Sequence, residues 1–185
     1  MNLMRLIDIV LSFMFLVLTL PVTILILILG YLDLGSPLFL QQRVGKSQKV
    51  FTLIKFRTMI IKTESVATHL VDASSITRLG QFLRSTKLDE LPQMYNVLIG
   101  DMSFVGPRPC LTSQKEVIKN RESRGVFNLA PGITGLSQIH NIDMSTPQKL
   151  SRYDKVLLDN YSLKTYFYCL VKTALGAGQG DKVKG

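Results

Sequence analysis

From Ile9 to Leu32 the chain reads "IVLSFMFLVLTLPVTILILILGYL" without a charged residue. A helix of that length reaches ~36 Å, against ~30 Å for the hydrocarbon core of a bilayer. It is too long for the apolar part of a signal peptide and no small-residue cleavage site follows, so the pattern predicts a membrane helix. Pro21 stands in its middle, where it removes a backbone donor and crowds the preceding turn, which predicts a kink. A kinked helix can cross the bilayer or turn back to the face it entered. Arg43, Lys46, Lys49, Lys55 and Arg57 follow the segment and Arg5 precedes it. Positive flanks stay cytoplasmic, so the rest of the chain is expected there, and Arg5 favours re-entry.

After the apolar run the pattern changes. Pro37–Met59 alternates as two short β-prone runs around a polar turn at Gly45–Gln48, a β-hairpin signal. The "GKS" at Gly45–Ser47 is not a phosphate loop, because Leu40 stands where that motif needs glycine. Ile60–Ser75 is polar and weakly periodic, a loop or loose helix. Ile76, Leu79, Phe82 and Leu83 recur at helical spacing. Leu88, Leu91, Tyr95 and Leu98 do so again, up to Gly100. Gly106–Pro109 and Ala130–Gly135 read as glycine/proline loops, with a polar helix at Thr112–Arg124 between them. Ser145 or Thr146 caps a further helix with Pro147 in its first turn. Ser162 caps a last one, whose Tyr166, Phe167, Leu170, Val171 and Leu175 form an apolar face suited to the core or to a membrane surface. The expected architecture is α+β and mostly helical: a kinked, re-entrant membrane helix in 1–35, then a small cytoplasmic catalytic domain in 36–185. That domain carries a short β-hairpin and amphipathic helices at the membrane surface.

Composition narrows the partners. Lys and Arg number 22 against 13 Asp and Glu, a formal net charge of +9, which favours anionic ligands. No basic patch is interleaved with aromatics as nucleic-acid stacking requires. Cys110 and Cys169 make no metal or disulfide spacing and read as reduced packing residues. His69 and His140 are too isolated for a metal site.

Against that charge, "LDELPQ" at Leu88–Gln93 sets Asp89 beside Glu90. With Asp89 as N-cap of the following helix, Pro92 falls in the first turn, where no helical amide is lost. The dyad is then either a cap with a favourable charge at the positive helix end, or a site for phosphate chemistry. In the second reading, free amides at the helix start meet a phosphate. Arg84 and Arg108 clamp its oxygens with their guanidinium forks. A divalent cation relieves the repulsion between carboxylate and phosphate. Asp89 attacks phosphorus, and Glu90 serves as base or metal ligand. A non-catalytic membrane-surface adaptor would explain the anchor and the charge, but not the two prolines flanking Arg108. An enzyme in which Asp89 only holds metal remains an alternative.

The apolar run with Pro21, "KFRTM" (Lys55–Met59), "LRSTKLDELPQMYNVLIGDMSFVGPRP" (Leu83–Pro109) and "PGITGLSQI" (Pro131–Ile139) resemble the bacterial monotopic phosphoglycosyl transferases, or bacterial sugar transferases, over nearly the whole chain. The match corresponds to that family's minimal catalytic unit. The resemblance implies transfer of a sugar-1-phosphate from a UDP-sugar to polyprenyl (undecaprenyl) phosphate with release of UMP, the first membrane step of bacterial glycoconjugate assembly. It implies Mg2+, with Asp89 and Glu90 as catalytic dyad and metal-binding pair, and a covalent phosphosugar on Asp89. It implies substrate binding by Arg84, Arg108, Lys55, Arg57 and Gln138. Membrane lipid is then a partner and nucleic acid is not; a homodimer is compatible. The place is the cytoplasmic face of the bacterial inner membrane. The family breaks its re-entrant helix at a Ser-Pro pair; here the pair is Leu20-Pro21, with Thr19 and Thr23 near enough to replace the serine hydroxyl. After "LSQI" this chain has "HNIDMSTP" (His140–Pro147) where many relatives carry an Asn-Gly-Arg-like sequence, which marks a different subgroup.

Overall fold

In the computed structural model, residues 3–61 and 75–178 are described. Most of the polar stretch expected as a loop or loose helix, together with His69, lies outside the described residues. The fold is a mostly helical α+β arrangement with small sheets, and it divides into two compact units.

The first element, α1 (Leu3–Leu34), is one helix with Pro21 inside it. Among the described residues it is the one helix long and apolar enough to cross a membrane. From Phe13 to Leu25 none of its residues is buried. The carbonyl that Pro21 leaves without an amide partner is that of Val17. The Thr19 hydroxyl, expected to stand in for the missing serine, instead donates to the Phe15 carbonyl at 2.7 Å. A hydroxyl on a helix reaches most easily back to its own fourth preceding carbonyl, and Thr19 does that.

One unit comprises 10–41, 52–61 and 75–96. Its core joins Ile26 of α1, Phe56 and Leu83, with Leu27, Leu79, Leu88 and Leu91 against them. Phe56 ends β2 (Val50–Phe56), which pairs with β1 (Leu38–Val44) in the expected hairpin. Leu83 belongs to α2 (Arg78–Ser85), capped by the Thr77 hydroxyl, which accepts from the Gly80 amide at 3.0 Å. Gly80 lies so close to the Thr58 backbone that a Cβ there would overlap it, which explains a glycine inside a helix.

The other unit comprises 3–9, 42–51 and 97–178. Here β4 (Cys110–Leu111) pairs antiparallel with the end of β1, Arg43 opposite Leu111 and Val44 opposite Cys110. Its core gathers Val44, Cys110, Val117, Ile142 and Leu150, with Ile118, Phe127, Met144 and Tyr153 around them. Val44 comes from the hairpin, Cys110 from β4, Val117 and Ile118 from α4 (Lys115–Glu122), and Leu150 and Tyr153 from α6 (Pro147–Asp159). Both cysteines are reduced and buried, as their spacing implied.

One expectation is corrected here. The "PGITG" stretch is not simply a loop: Gly132–Thr134 forms β5, parallel to β3 (Ser103–Val105), with Ser103 opposite Gly132 and Val105 opposite Thr134. Three-residue strands are too short to show alternation, and a Cβ on Gly132 would run into the Gly106 backbone. The last helix, α7 (Leu163–Ala174), starts at a Ser162 cap as expected and buries Tyr166 and Cys169. Phe167, Tyr168, Val171 and Leu175 are exposed, so much of the expected apolar face is not used in the core.

Across the unit runs a buried ion pair. The Arg121 guanidinium meets the Asp154 carboxylate at 2.8 and 2.9 Å, with side chains 2% and 0% exposed. Asp154 also accepts from the Ser137 hydroxyl at 2.8 Å. Removing one member of such a pair strands the other charge away from water. Asp154→Ala is therefore expected to destabilise the protein by about 3–5 kcal/mol, read as a large drop in Tm in detergent; an unchanged Tm would refute the pair's role.

Candidate active site

The dyad does not cap a helix. Asp89 and Glu90 lie in a single 3-10 turn, Leu88–Glu90, and α3 begins later, at Gln93, running to Ile99. The cause is local. Lys87 adopts a left-handed conformation at φ 58°, which turns the chain sharply out of α2. A non-glycine residue there costs free energy, and such strain collects at functional positions. The amides of Glu90, Leu91, Met94 and Tyr95 then donate to carbonyls three residues back. Pro92 has no amide for the four-residue ladder, which suits the tighter pattern. The expected row of free amides facing a phosphate is thus partly consumed within the turn.

The helix also buries a different face. Gln93, Met94, Asn96 and Val97 are buried, while Tyr95, one of the periodic positions, is half-exposed. Asn96 explains the shift. Its Oδ1 accepts from the Ile54 amide at 3.1 Å and its Nδ2 donates to the Thr52 carbonyl at 2.8 Å. β2 is the edge of its sheet, in the order β2-β1-β4, so this side chain occupies backbone groups that a further strand would have paired.

That bond joins α3 to the strand carrying Lys55. The Lys55 ammonium meets Glu90 Oε1 at 3.1 Å, the two side chains being 14% and 23% exposed. The structure therefore brings together two of the expected site residues, Lys55 and Glu90, beside Asp89. Arg84 sits in the last turn of α2, which packs on the dyad turn; a cation is favoured at that helix end. Arg57 is occupied differently. It donates to the Ser36 and Leu38 carbonyls at 3.0 and 3.1 Å and lies over the Phe39 ring, holding the chain where α1 gives way to β1.

Arg108 and Gln138 belong to the unit containing 97–178. Between Met102 and Leu111 only Arg108 is not fully buried. Its loop is tied at every carbonyl from Pro107 to Pro109: Pro107 accepts from the Gly132 amide at 2.9 Å, Arg108 from Arg121 at 2.8 Å, and Pro109 from Arg43 at 2.9 Å. Fixing the backbone in this way presents the Arg108 side chain from a rigid base. Gln138 lies in α5 (Leu136–Ile139); it accepts from the Ser137 hydroxyl at 3.2 Å and donates to the Gly132 carbonyl at 3.4 Å. Asn96 and Arg121 were not singled out in the sequence. An asparagine inside an apolar helix and an arginine in a polar one give little signal before their partners are known.

No group of three or more His, Cys, Asp or Glu side chains suited to a metal occurs among the described residues. Two adjacent carboxylates suit magnesium, which takes one or two carboxylates and completes its shell with phosphate oxygens and water.

Compared with known proteins, the chain matches the family model described as bacterial sugar transferase over residues 1–179. It is 37% identical over 163 residues to an uncharacterised sugar transferase of Bacillus subtilis, EpsL, covering 88% of this chain and 80% of that protein. It is 34% identical over 191 residues to an undecaprenyl-phosphate galactose phosphotransferase of Salmonella typhimurium, covering 92% of this chain and 39% of that one. It is 35% identical over 169 residues to a UDP-glucose:undecaprenyl-phosphate glucose-1-phosphate transferase of Klebsiella pneumoniae, covering 86% and 36%. The chain thus spans well under half the length of the latter two.

Lys55→Met removes the ammonium that orients Glu90. It is expected to slow turnover about tenfold, or ~1.4 kcal/mol of barrier. Tm should move little, because a partly exposed pair contributes little to stability. A full-rate Lys55→Met variant would show that Glu90 acts without it.

Proposed function

The chain belongs to the bacterial sugar transferase family, and on that premise we propose that it moves a sugar-1-phosphate from a UDP-sugar to polyprenyl phosphate, releasing UMP. The product is a polyprenyl-diphospho-sugar, the first membrane-bound intermediate of glycoconjugate assembly. The observation that carries the proposal is the Asp89–Glu90 turn, with strained Lys87 before it and Lys55 on Glu90, in a chain that the family model matches over 1–179.

The transfer has two displacements. A carboxylate oxygen of Asp89 attacks the phosphorus next to the sugar, the bond from that phosphorus to the bridging oxygen breaks, and UMP leaves with the electron pair. A phosphate oxygen of the polyprenyl phosphate then attacks the same phosphorus, and the Asp89 carboxylate is expelled. Splitting the transfer lets a soluble donor and a lipid acceptor use one site in turn. Arg84 and Arg108 offset charge on the phosphoryl oxygens. Glu90, held by Lys55, takes a separate role toward phosphate or metal. Lys55, Arg57 and Gln138 are the further residues assigned to substrate binding in this reading. Magnesium, held at Asp89 and Glu90, would supply charge neutralisation on the phosphates when bound.

Residues 1–35 serve as the anchor and 36–185 as the catalytic part, at the cytoplasmic face of a bacterial inner membrane. A re-entrant α1 is supported by its flanks: Arg5 before the apolar run and Arg43, Lys46 and Lys49 after it both favour the cytoplasmic face.

The test is UMP release from a panel of UDP-sugars with undecaprenyl phosphate present. One sugar is expected to support turnover, and Asp89→Asn to lower it about a thousandfold or more with the fold intact by circular dichroism. An Asp89→Asn variant at full rate would refute the mechanism, and a chain inactive on every UDP-sugar would refute the function.

A further inference from the structure

Asp8 takes no part in the transfer, yet its carboxylate is 4% exposed in the second turn of α1. Its Oδ1 accepts three hydrogen bonds: from the Ser103 hydroxyl at 3.1 Å, the Phe104 amide at 3.0 Å and the Tyr166 hydroxyl at 2.6 Å. A carboxylate at the root of a membrane helix is costly to bury, and donors converging on one oxygen offset that cost. Tyr166 is itself fully buried. Burial first, and then the bond to Asp8, push its hydroxyl far above the ordinary tyrosine range, so it stays a donor. One turn earlier on the same helix face, Arg5 donates to the Val97 and Leu98 carbonyls at 2.5 and 2.7 Å, at the negative end of α3.

Ser103 and Phe104 are β3 residues, and the chain runs from β3 straight into the Gly106–Pro109 loop that carries Arg108. The Tyr161 hydroxyl donates to the Val105 carbonyl at 3.1 Å, and the Gly106 amide to the Thr134 carbonyl at 2.8 Å. The first turns of the anchor and the base of the Arg108 loop therefore form one hydrogen-bonded body.

We propose that Asp8 is a positioning residue for the lipid acceptor: by locking the start of the anchor helix to β3, it sets the level at which the Arg108 loop meets a phosphate carried on a membrane-embedded tail. A nucleotide donor arrives from water and needs no such alignment. The inference rests on the proposed function for the identity of the acceptor. Asp8 acts through β3 and touches neither substrate.

The experiment measures KM for undecaprenyl phosphate in nanodiscs and for the UDP-sugar in parallel. Asp8→Ala is expected to raise the acceptor KM about tenfold or more, with the donor KM within about twofold. Asp8→Asn, which keeps an acceptor oxygen, restores most of the loss. Tyr166→Phe removes one donor and gives a smaller shift of the same kind, which covers an Asp8→Ala protein that does not fold. Hydrogen exchange across 103–109 is expected to quicken in both Asp8→Ala and Tyr166→Phe. An unchanged acceptor KM in the folded variants, or equal rises for both substrates, would overturn the proposal. Absence of acceptor-dependent UMP release by the unaltered chain would instead refute the proposed function. The exchange arm then decides alone, and unchanged protection at Phe104 would overturn the coupling.

Discussion

Asn96 holds the open edge of β2 with both ends of one amide, and the arrangement of the dyad depends on that bond. Without it the Ile54 amide and the Thr52 carbonyl would be left unpaired at a sheet edge, and α3 would lose its fixed place on the strand. With it, Lys55 on the strand and Glu90 just ahead of the helix come within 3.1 Å. Asp89 lies in the 3-10 turn that the left-handed Lys87 opens. A side chain mimicking a strand thus converts a sheet edge into a support for the Lys55–Glu90 pair.

The second unit uses the same economy of backbone groups. The loop around Arg108 is held by Gly132, Arg121 and Arg43 at its three successive carbonyls. The Arg121–Asp154 pair behind it is fully removed from water and also anchors Ser137, next to Gln138. Packing there is close enough that glycine is required where Gly106 and Gly132 approach one another. Such rigidity presents the Arg108 side chain from a fixed base.

Legibility in the sequence followed the range of the interactions. The long apolar helix, the hairpin, the helix start at Thr146 and the Ser162 cap were readable because they rest on contiguous residues. The dyad was conspicuous as adjacent acids in a basic chain, and the family resemblance carried its role. Its local geometry was not readable. The left-handed Lys87 belongs to a residue type that rarely adopts that conformation, so no pattern announces it. The buried face of α3 was misassigned because a polar residue, Asn96, sits on it, and only a partner 42 positions away makes that favourable. β3 and β5 were missed because three residues are too few for alternation. Asp8 lay one residue before the apolar run, and its donors, up to 158 positions on, could not be foreseen.

The account stands or falls on a bond between Asp89 and phosphorus. The most direct measurement is intact-mass and peptide mass spectrometry of the protein incubated with its UDP-sugar and magnesium, without lipid acceptor, and quenched in acid. The account predicts an added sugar-phosphate on the peptide carrying Asp89, which disappears on adding undecaprenyl phosphate. An active enzyme that never carries that mass under trapping conditions would contradict it and leave Asp89 as a metal ligand in a single direct displacement.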